Sequence, residues 1–372
     1  MIDLKGLSPE KILKELFTAM VTNDYSDMHI RAKQKVIVED QRRKKPITKQ
    51  ALSYDDAFDL ANEIYNSDTA TTRVRSGKDI DKDYEFRLKL NGEAIASSFR
   101  FRINITSITV RGVISPSISI RMMYKDVPKW DKMGYEQVIW DNFRPDKGIV
   151  LVTGPTGSGK TSMLAAGIGK ILETMDDEKI VTLEDPIEYT FEDLQGDTNI
   201  IEQSAMGTNI HDFMTPMKSI LRRKPTICVV GESRDVETIR ACVYVAQTGH
   251  LVYTTLHTNG VPETLKRLLN EFPVSEQHSR LSDLVKCTKM IVSQQILPTT
   301  DGKAIAIREY LVITPTVEKE LEKADITTIT KVARELTDKY GQSMISHAKR
   351  IHEQGLITDK QLNGIAREFV EE

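Results

Sequence analysis

Hydrophobic and polar positions change rhythm three times along this 372-residue chain. Near the start, Ile12, Leu13, Leu16, Phe17, Met20 and Val21 recur at the spacing of one helical face. Ser8 stands before them as a cap, and Pro9 fills the first helical position, where its missing N–H is no loss. The stripe predicts a helix from Pro9, packed on its own domain. From about Tyr84 the period drops to two. "YEFRLKL", "ASSFRFRINIT" and "SPSISIRMMY" alternate as half-buried antiparallel strands do, with Asn91-Gly92 as a hairpin turn signal. Residues 1–125 therefore predict a small α+β domain. "DVPKW", residues 126–130, reads as a linker, and the basic run Arg42 to Lys45 as a solvated turn.

From Ile149 the rhythm changes again. "GIVLVTG", "KIVTLED", "TICVVGE" and "HLVYTTLH" are short apolar runs rich in β-branched residues, and helical stretches separate most of them. That alternation predicts a parallel sheet with helices on both faces, hence an α/β domain over residues 131–372. From about residue 316 the chain becomes charged and helical, in "VEKELEKA" and "ISHAKRIHEQGLIT", and predicts a helical C-terminal subdomain.

Composition adds exclusions. Lys and Arg number 51 against 54 Asp and Glu, a net charge of −3, which argues against the basic footprint of a nucleic-acid binder. No apolar run approaches the 18 or so residues of a transmembrane helix, and "MIDLKGLSPEKILKEL" lacks the apolar core of a signal peptide. Cys228, Cys242 and Cys287 form no CxxC pair, so neither a disulfide framework nor a zinc module is expected.

The strongest motif is "GPTGSGKT", running Gly154, Pro155, Thr156, Gly157, Ser158, Gly159, Lys160, Thr161 and leading into Ser162. It matches the P-loop pattern and sits between a predicted strand and a predicted helix, the context that pattern requires. Glycines let backbone N–H groups turn toward phosphate oxygens, Lys160 reaches the β- and γ-phosphates, and Thr161 offers its hydroxyl to Mg²⁺. Ligands of an open parallel sheet bind beyond the carboxyl ends of its strands. At those ends stand Glu184 and Asp185, Glu232, and His257. Glu232 can reach a water beside the γ-phosphate, and Glu184, Asp185 and Glu188 can serve a Mg²⁺ shell. His250 lies at the other end of the His257 strand. The two are roughly 23 Å apart and face opposite ways, so they cannot share one ion. Arg100, Arg102, Arg111 and Arg121, on or beside the predicted strands of the first domain, are candidates for the arginine that stabilises developing charge on the γ-phosphoryl group.

"GPTGSGKT", "TLEDPIEY", "VVGESRD" and "TGHLVYTTLHTN" together resemble the Walker A, Asp box, Walker B and His box of the secretion-type traffic ATPases, the motors of type IV pili and of type II and type IV secretion. "YSDMHI" and "FRFRIN" resemble that family's N-terminal motifs, and "GQSMISHAKRIHEQGLIT" its C-terminal segment in PilT-like members. The resemblance implies a PAS-like N-terminal domain, a flexible linker and a RecA-like ATPase domain, in a homohexamer that binds ATP and Mg²⁺. It implies Glu232 as general base, Glu184 in the metal or water shell, and His257 as a γ-phosphate sensor. The zinc module of type II secretion ATPases has no counterpart here. Where retraction motors carry "AIRNLIRE", this chain has "TVEKELEK". "LPTTDGKAIAIREYLVI" is most similar to the DotB/TraJ branch. That branch implies an ATPase powering type IVB secretion or conjugation at the cytoplasmic face of the inner membrane, with that machine's cytoplasmic-side components as partners. A pilus retraction motor is the alternative.

Overall fold

The computed structural model describes residues 1–40, 43–89, 96–123, 126–233 and 235–370. The Asn91-Gly92 turn, Arg42 and Arg234 lie outside them. The chain forms two compact units, Met1–Lys125 and Asp126–Glu372.

In the first unit the elements run α1 (Pro9–Thr22), β1 (Asp27–Arg31), β2 (Ile37–Asp40), β3 (Arg43–Pro46), α2 (Tyr54–Tyr65), α3 (Thr69–Arg75), β4 (Ile80–Leu88), β5 (Ser97–Val110) and β6 (Val113–Met122). Helix α1 starts at Pro9 as its sequence predicts, but Ser8 makes no capping hydrogen bond. What holds α1 is burial: Ile12, Leu13, Leu16, Phe17 and Met20 all sit in the core, and Phe17 stacks on Tyr84 with ring centroids 5.0 Å apart. Among the described residues the strands form one antiparallel sheet in the order β3-β2-β1-β6-β5-β4. Phe101, Ile103 and Ile105 of β5 point inward and the residues between them outward, the period-two pattern expected. The basic run differs from expectation. Arg43–Pro46 is an exposed edge strand paired with β2 rather than a turn, and its charges and proline suit an edge that must not recruit another strand.

The second unit runs α4 (Gln137–Asp141), β7 (Gly148–Thr153), α5 (Lys160–Thr174), β8 (Lys179–Glu184), β9 (Ile200–Ala205), α6 (Met214–Ile220), β10 (Ile227–Val230), α7 (Val236–Gln247), β11 (Leu251–Leu256), α8 (Val261–Asn270), α9 (Val274–Cys287), β12 (Thr288–Pro298), β13 (Ala304–Val312), α10 (Pro315–Leu321), α11 (Ile329–Tyr340), α12 (Met344–Glu353) and α13 (Asp359–Val370). Among the described residues its sheet has the order β13-β12-β7-β11-β10-β8-β9, parallel except for the antiparallel β12–β13 pair. The four strands predicted from apolar runs form the middle of this sheet. β7 and β11 are buried along their whole length, as strands covered on both faces must be. Two residues of the expected linker are packed here instead. Trp130 is buried among Tyr135, Trp140 and Phe143, and Val127 lies against Gly169 of α5. Cys228, Cys242 and Cys287 are buried free thiols.

Candidate nucleotide site

The loop between β7 and α5 owes its shape to glycines that stand where a side chain has no room. A Cβ on Gly154, at φ +137°, would lie 2.2 Å from the carbonyl oxygen of Gln294 on β12. Gly157 and Gly159 also have positive φ, which costs glycine little and other residues more. Lys160 opens α5, and its ammonium turns back on the loop to donate to the carbonyls of Gly154 at 2.8 Å and Pro155 at 3.0 Å. Burial pulls its pKa down, while the charges of Glu232 and Glu188 pull it up. Thr161 and Ser162 follow in the first turn of α5, and Ser162 Oγ lies 2.9 Å from the Tyr189 hydroxyl.

The strand ends converge as the parallel topology requires. Glu232 lies two residues beyond β10 and His257 directly after β11. Their side chains meet, with His257 Nε2 3.1 Å from Glu232 Oε1. The other ring nitrogen, Nδ1, is 3.4 Å from Thr156 Oγ1 of the loop. With the proton on Nε2, the imidazole donates to the carboxylate and accepts from the hydroxyl, so one ring spans the acid and the loop. His250 is apart from this group. Its carbonyl accepts from Gly148 N–H at the start of β7, and its Nδ1 is 3.3 Å from Thr248 Oγ1.

Glu184 ends β8 and lines a small cavity of about 40 Å³ together with Thr161, Thr182, Tyr189, Gly231 and Thr255. Thr182 Oγ1 at 2.6 Å and Gln203 Nε2 at 3.1 Å both donate to its Oε1. Burial raises its pKa, and the two hydrogen bonds oppose that rise. Asp185, next along, is exposed. Gln203 comes from β9, and nothing in the sequence reading pointed to it. Its amide also donates to the Tyr189 carbonyl at 2.9 Å, tying β9 to the loop that carries Glu188 and Tyr189. Among the described residues no group of three or more His, Cys, Asp or Glu side chains is set to hold a metal by itself. The oxygen donors near the loop, Thr161, Glu184 and Glu232, match the few-ligand pattern by which Mg²⁺ is held alongside substrate phosphates.

The four arginines lie in the first unit. Arg100, Arg102 and Arg121 share the outward face of its sheet. Arg102 pairs across strands with both Asp83 and Arg121, and Arg121 Nε donates to Asp27 at 2.8 Å. Arg111 is separate, at φ +49° in the turn between β5 and β6. Val110, the last residue of β5, lies eight residue steps beyond Arg102, roughly 25 Å of β-strand.

The family model described as "Type II/IV secretion system protein" matches residues 6–369. This chain belongs to that family. It is a PilT-like traffic ATPase that hydrolyses ATP, DotB-like in its structure, with a RecA-like ATPase fold and an N-terminal domain. The ATPase DotB of Legionella pneumophila is 35% identical over 99% of this chain and 98% of its own, with a TM-score of 0.87. The pilus retraction motor PilT, solved with bound ADP, is 27% identical over 94% of this chain and 96% of its own, with a TM-score of 0.80. A twitching motility protein of Neisseria gonorrhoeae is 33% identical over 298 residues, 80% of this chain and 77% of the relative. Among the described residues of this traffic ATPase no helix is long and apolar enough to cross a membrane.

Proposed function

We propose that this traffic ATPase is the Mg²⁺-dependent homohexameric motor of a type IVB secretion or conjugative transfer machine, recruited to the cytoplasmic face of the inner membrane. The observation that carries this reading is the end-to-end match to Legionella DotB, at higher identity than the match to PilT. Glu232 acts as general base on the attacking water, and the ring of His257, already between Glu232 and Thr156, reports the γ-phosphate to that base. Lys160 exchanges its two loop carbonyls for phosphate oxygens, a stronger charge-assisted pairing. Thr161, with Glu184, Asp185 and Glu232 partly through water, would hold Mg²⁺, which neutralises phosphate charge. Arginines of the first unit stabilise the charge that develops on the γ-phosphoryl group.

Two substitutions test the chemistry. Lys160→Ala should abolish ATP binding measured by calorimetry. Glu232→Gln should bind ATP near the wild-type affinity and lose turnover by about 10² or more, in the range for a removed catalytic base. Turnover near wild type in Glu232→Gln, together with loss in Glu184→Gln, would move the base to Glu184.

A pilus retraction motor is the second reading, favoured by the resemblance to PilT and to the twitching motility protein. Crosslinking in cells separates the two. Capture of secretion-core subunits supports the first reading, and loss of twitching in a deletion strain whose secretion persists supports the second.

A further inference from the structure

Gln294 sits in the middle of β12, 3% exposed, at the back of the P-loop. Its side-chain amide Nε2 donates to the carbonyl of Ser158 at 2.5 Å. Two loop glycines lie against it. A Cβ on Gly154 would strike its backbone oxygen at 2.2 Å, and one on Gly159 would lie 2.9 Å from its Nε2. Arg308, its cross-strand partner on β13, is equally buried and donates from Nη1 to Gln294 Oε1 at 3.3 Å. A guanidinium can only donate, so the oxygen of the Gln294 amide must face Arg308 and its NH₂ must face the loop. Arg308 is itself fixed from three sides. Nε donates to Glu136 Oε2 at 2.7 Å, Nη2 donates to the Gly134 carbonyl at 2.6 Å, and the guanidinium lies 5.0 Å from the centre of the Tyr135 ring. Glu136 in turn accepts from Gln342 Nε2 at 3.1 Å, just before α12.

We propose that Gln294 is a positioning residue for nucleotide binding, and that Arg308, braced by Glu136, sets its orientation. The physical reason lies in the peptide between Ser158 and Gly159. In a planar trans peptide the C=O and the following N–H point in opposite directions. Drawing the Ser158 carbonyl back onto β12 turns the Gly159 N–H forward, to the side where phosphate oxygens bind. Without that anchor the peptide is free to rotate, and a bound phosphate must order it. The same chain of contacts joins the loop to the segment Gly134–Glu136 and to the start of α12.

This inference rests on the reading of Gly154–Thr161 as the ATP cradle, and the test keeps the two apart. In the full-length protein, Gln294→Met keeps the length and apolar stem of the side chain and removes the donor. Its Kd for ADP and its KM for ATP should both rise about tenfold, the equivalent of about 1.4 kcal/mol or one hydrogen bond. Its kcat should change less than KM. Arg308→Met should give a smaller rise, and the double variant should bind nucleotide no worse than Gln294→Met alone, because both substitutions break one path. A merely structural role would instead lower the unfolding temperature of the nucleotide-free protein and leave Kd and KM where they are. Wild-type Kd and KM in Gln294→Met overturn the proposal whatever its unfolding temperature. If Gln294→Met is insoluble, Gln294→Asn, whose amide falls one methylene short of Ser158, carries the same expectation and the same refutation. Lys160→Ala measured alongside reports on the cradle itself. If that variant still binds ADP, the P-loop reading fails and takes this inference with it. If it does not, the Gln294 result stands alone.

Discussion

His347 shows how much a single buried side chain can hide. It lies on α12, 3% exposed, and its Nδ1 accepts the backbone N–H of Arg308 at 3.0 Å. That bond leaves the proton on Nε2 and the ring neutral. Burial pushes its pKa down to about 4, although Glu136 nearby pulls the other way and Arg308 and Arg350 add to the fall. For Glu136 burial alone would raise the carboxyl, but Arg308 overrides it and holds the pKa below the ordinary value. The sign for stability follows. Between the unfolded value near 6.5 and the folded value near 4, the unfolded chain binds a proton at this histidine and the folded chain does not. Stability therefore falls on acidification through that window, by up to about 1.4 kcal/mol per pH unit from this group. His347→Gln should flatten the dependence of the urea midpoint on pH between 6.5 and 4. An unchanged slope would place the titration elsewhere. In the sequence this histidine reads only as one polar residue of a charged helix, because Glu136 and Arg308, which face it, come from distant parts of the chain.

Between elements, close approach is decided by what is missing. Helix α5 lies over β7 with Gly167 against the ring of Phe143. A Cβ there would lie 2.2 Å from ring carbon Cε1. That ring cannot swing away. It packs against Trp130, Trp140 and Tyr253, and the Tyr253 hydroxyl donates to the Phe143 carbonyl at 2.7 Å. Helix propensity alone says that Gly167→Ala should stabilise by about 1 kcal/mol. Overpacking says the reverse, by about 1–3 kcal/mol, and in a core this full it wins. Chemical denaturation of the variant should give a lower midpoint with an unchanged slope, and a higher midpoint would show that the ring yields. Strand ends were legible at this scale, since apolar runs closing on Glu184, Glu232 and His257 carry a parallel-sheet logic. Strands β9 and β12 were not. β12 follows α9 without an intervening residue, so no turn chemistry announces it, yet it carries Gln294.

Across the whole molecule, the candidate residues divide between the two units. The P-loop, Glu232 and His257 lie in the second, and the four candidate arginines lie in the first. Arg100, Arg102 and Arg121 share one outward face, whereas Arg111 sits about 25 Å along the hairpin by the strand rise. One phosphate cannot draw on both groups within a single chain. We expect Arg102→Ala to lower kcat by about 10³, the lower end of the range for an arginine finger, and Arg111→Ala to stay within a few-fold of wild type. Turnover at saturating ATP, read beside hexamer content by light scattering, checks this. Equal losses in both variants with assembly intact would mean that the arginines act from separate subunits.

The amino-acid sequence by itself determined the α/β class, the P-loop and the carboxyl-end placement of Glu184, Glu232 and His257. Each of these rests on local pattern: a period of hydrophobicity, a glycine spacing, a charged residue closing an apolar run. Only the tertiary structure decided what those groups touch. It brought His257 Nε2 to Glu232, turned Lys160 onto its own loop, supplied Gln203 from β9 to Glu184, and set Gln294 and Arg308 behind Ser158. It also packed Val127 and Trp130 against α5 and Phe143, where the sequence suggested a linker. The reason is one of range. A hydrogen bond between residues 136 positions apart, as from Gln294 to Ser158, leaves no periodic trace along the chain. Its partners are chosen by which strands become neighbours, and that choice is made by the packing of the entire core.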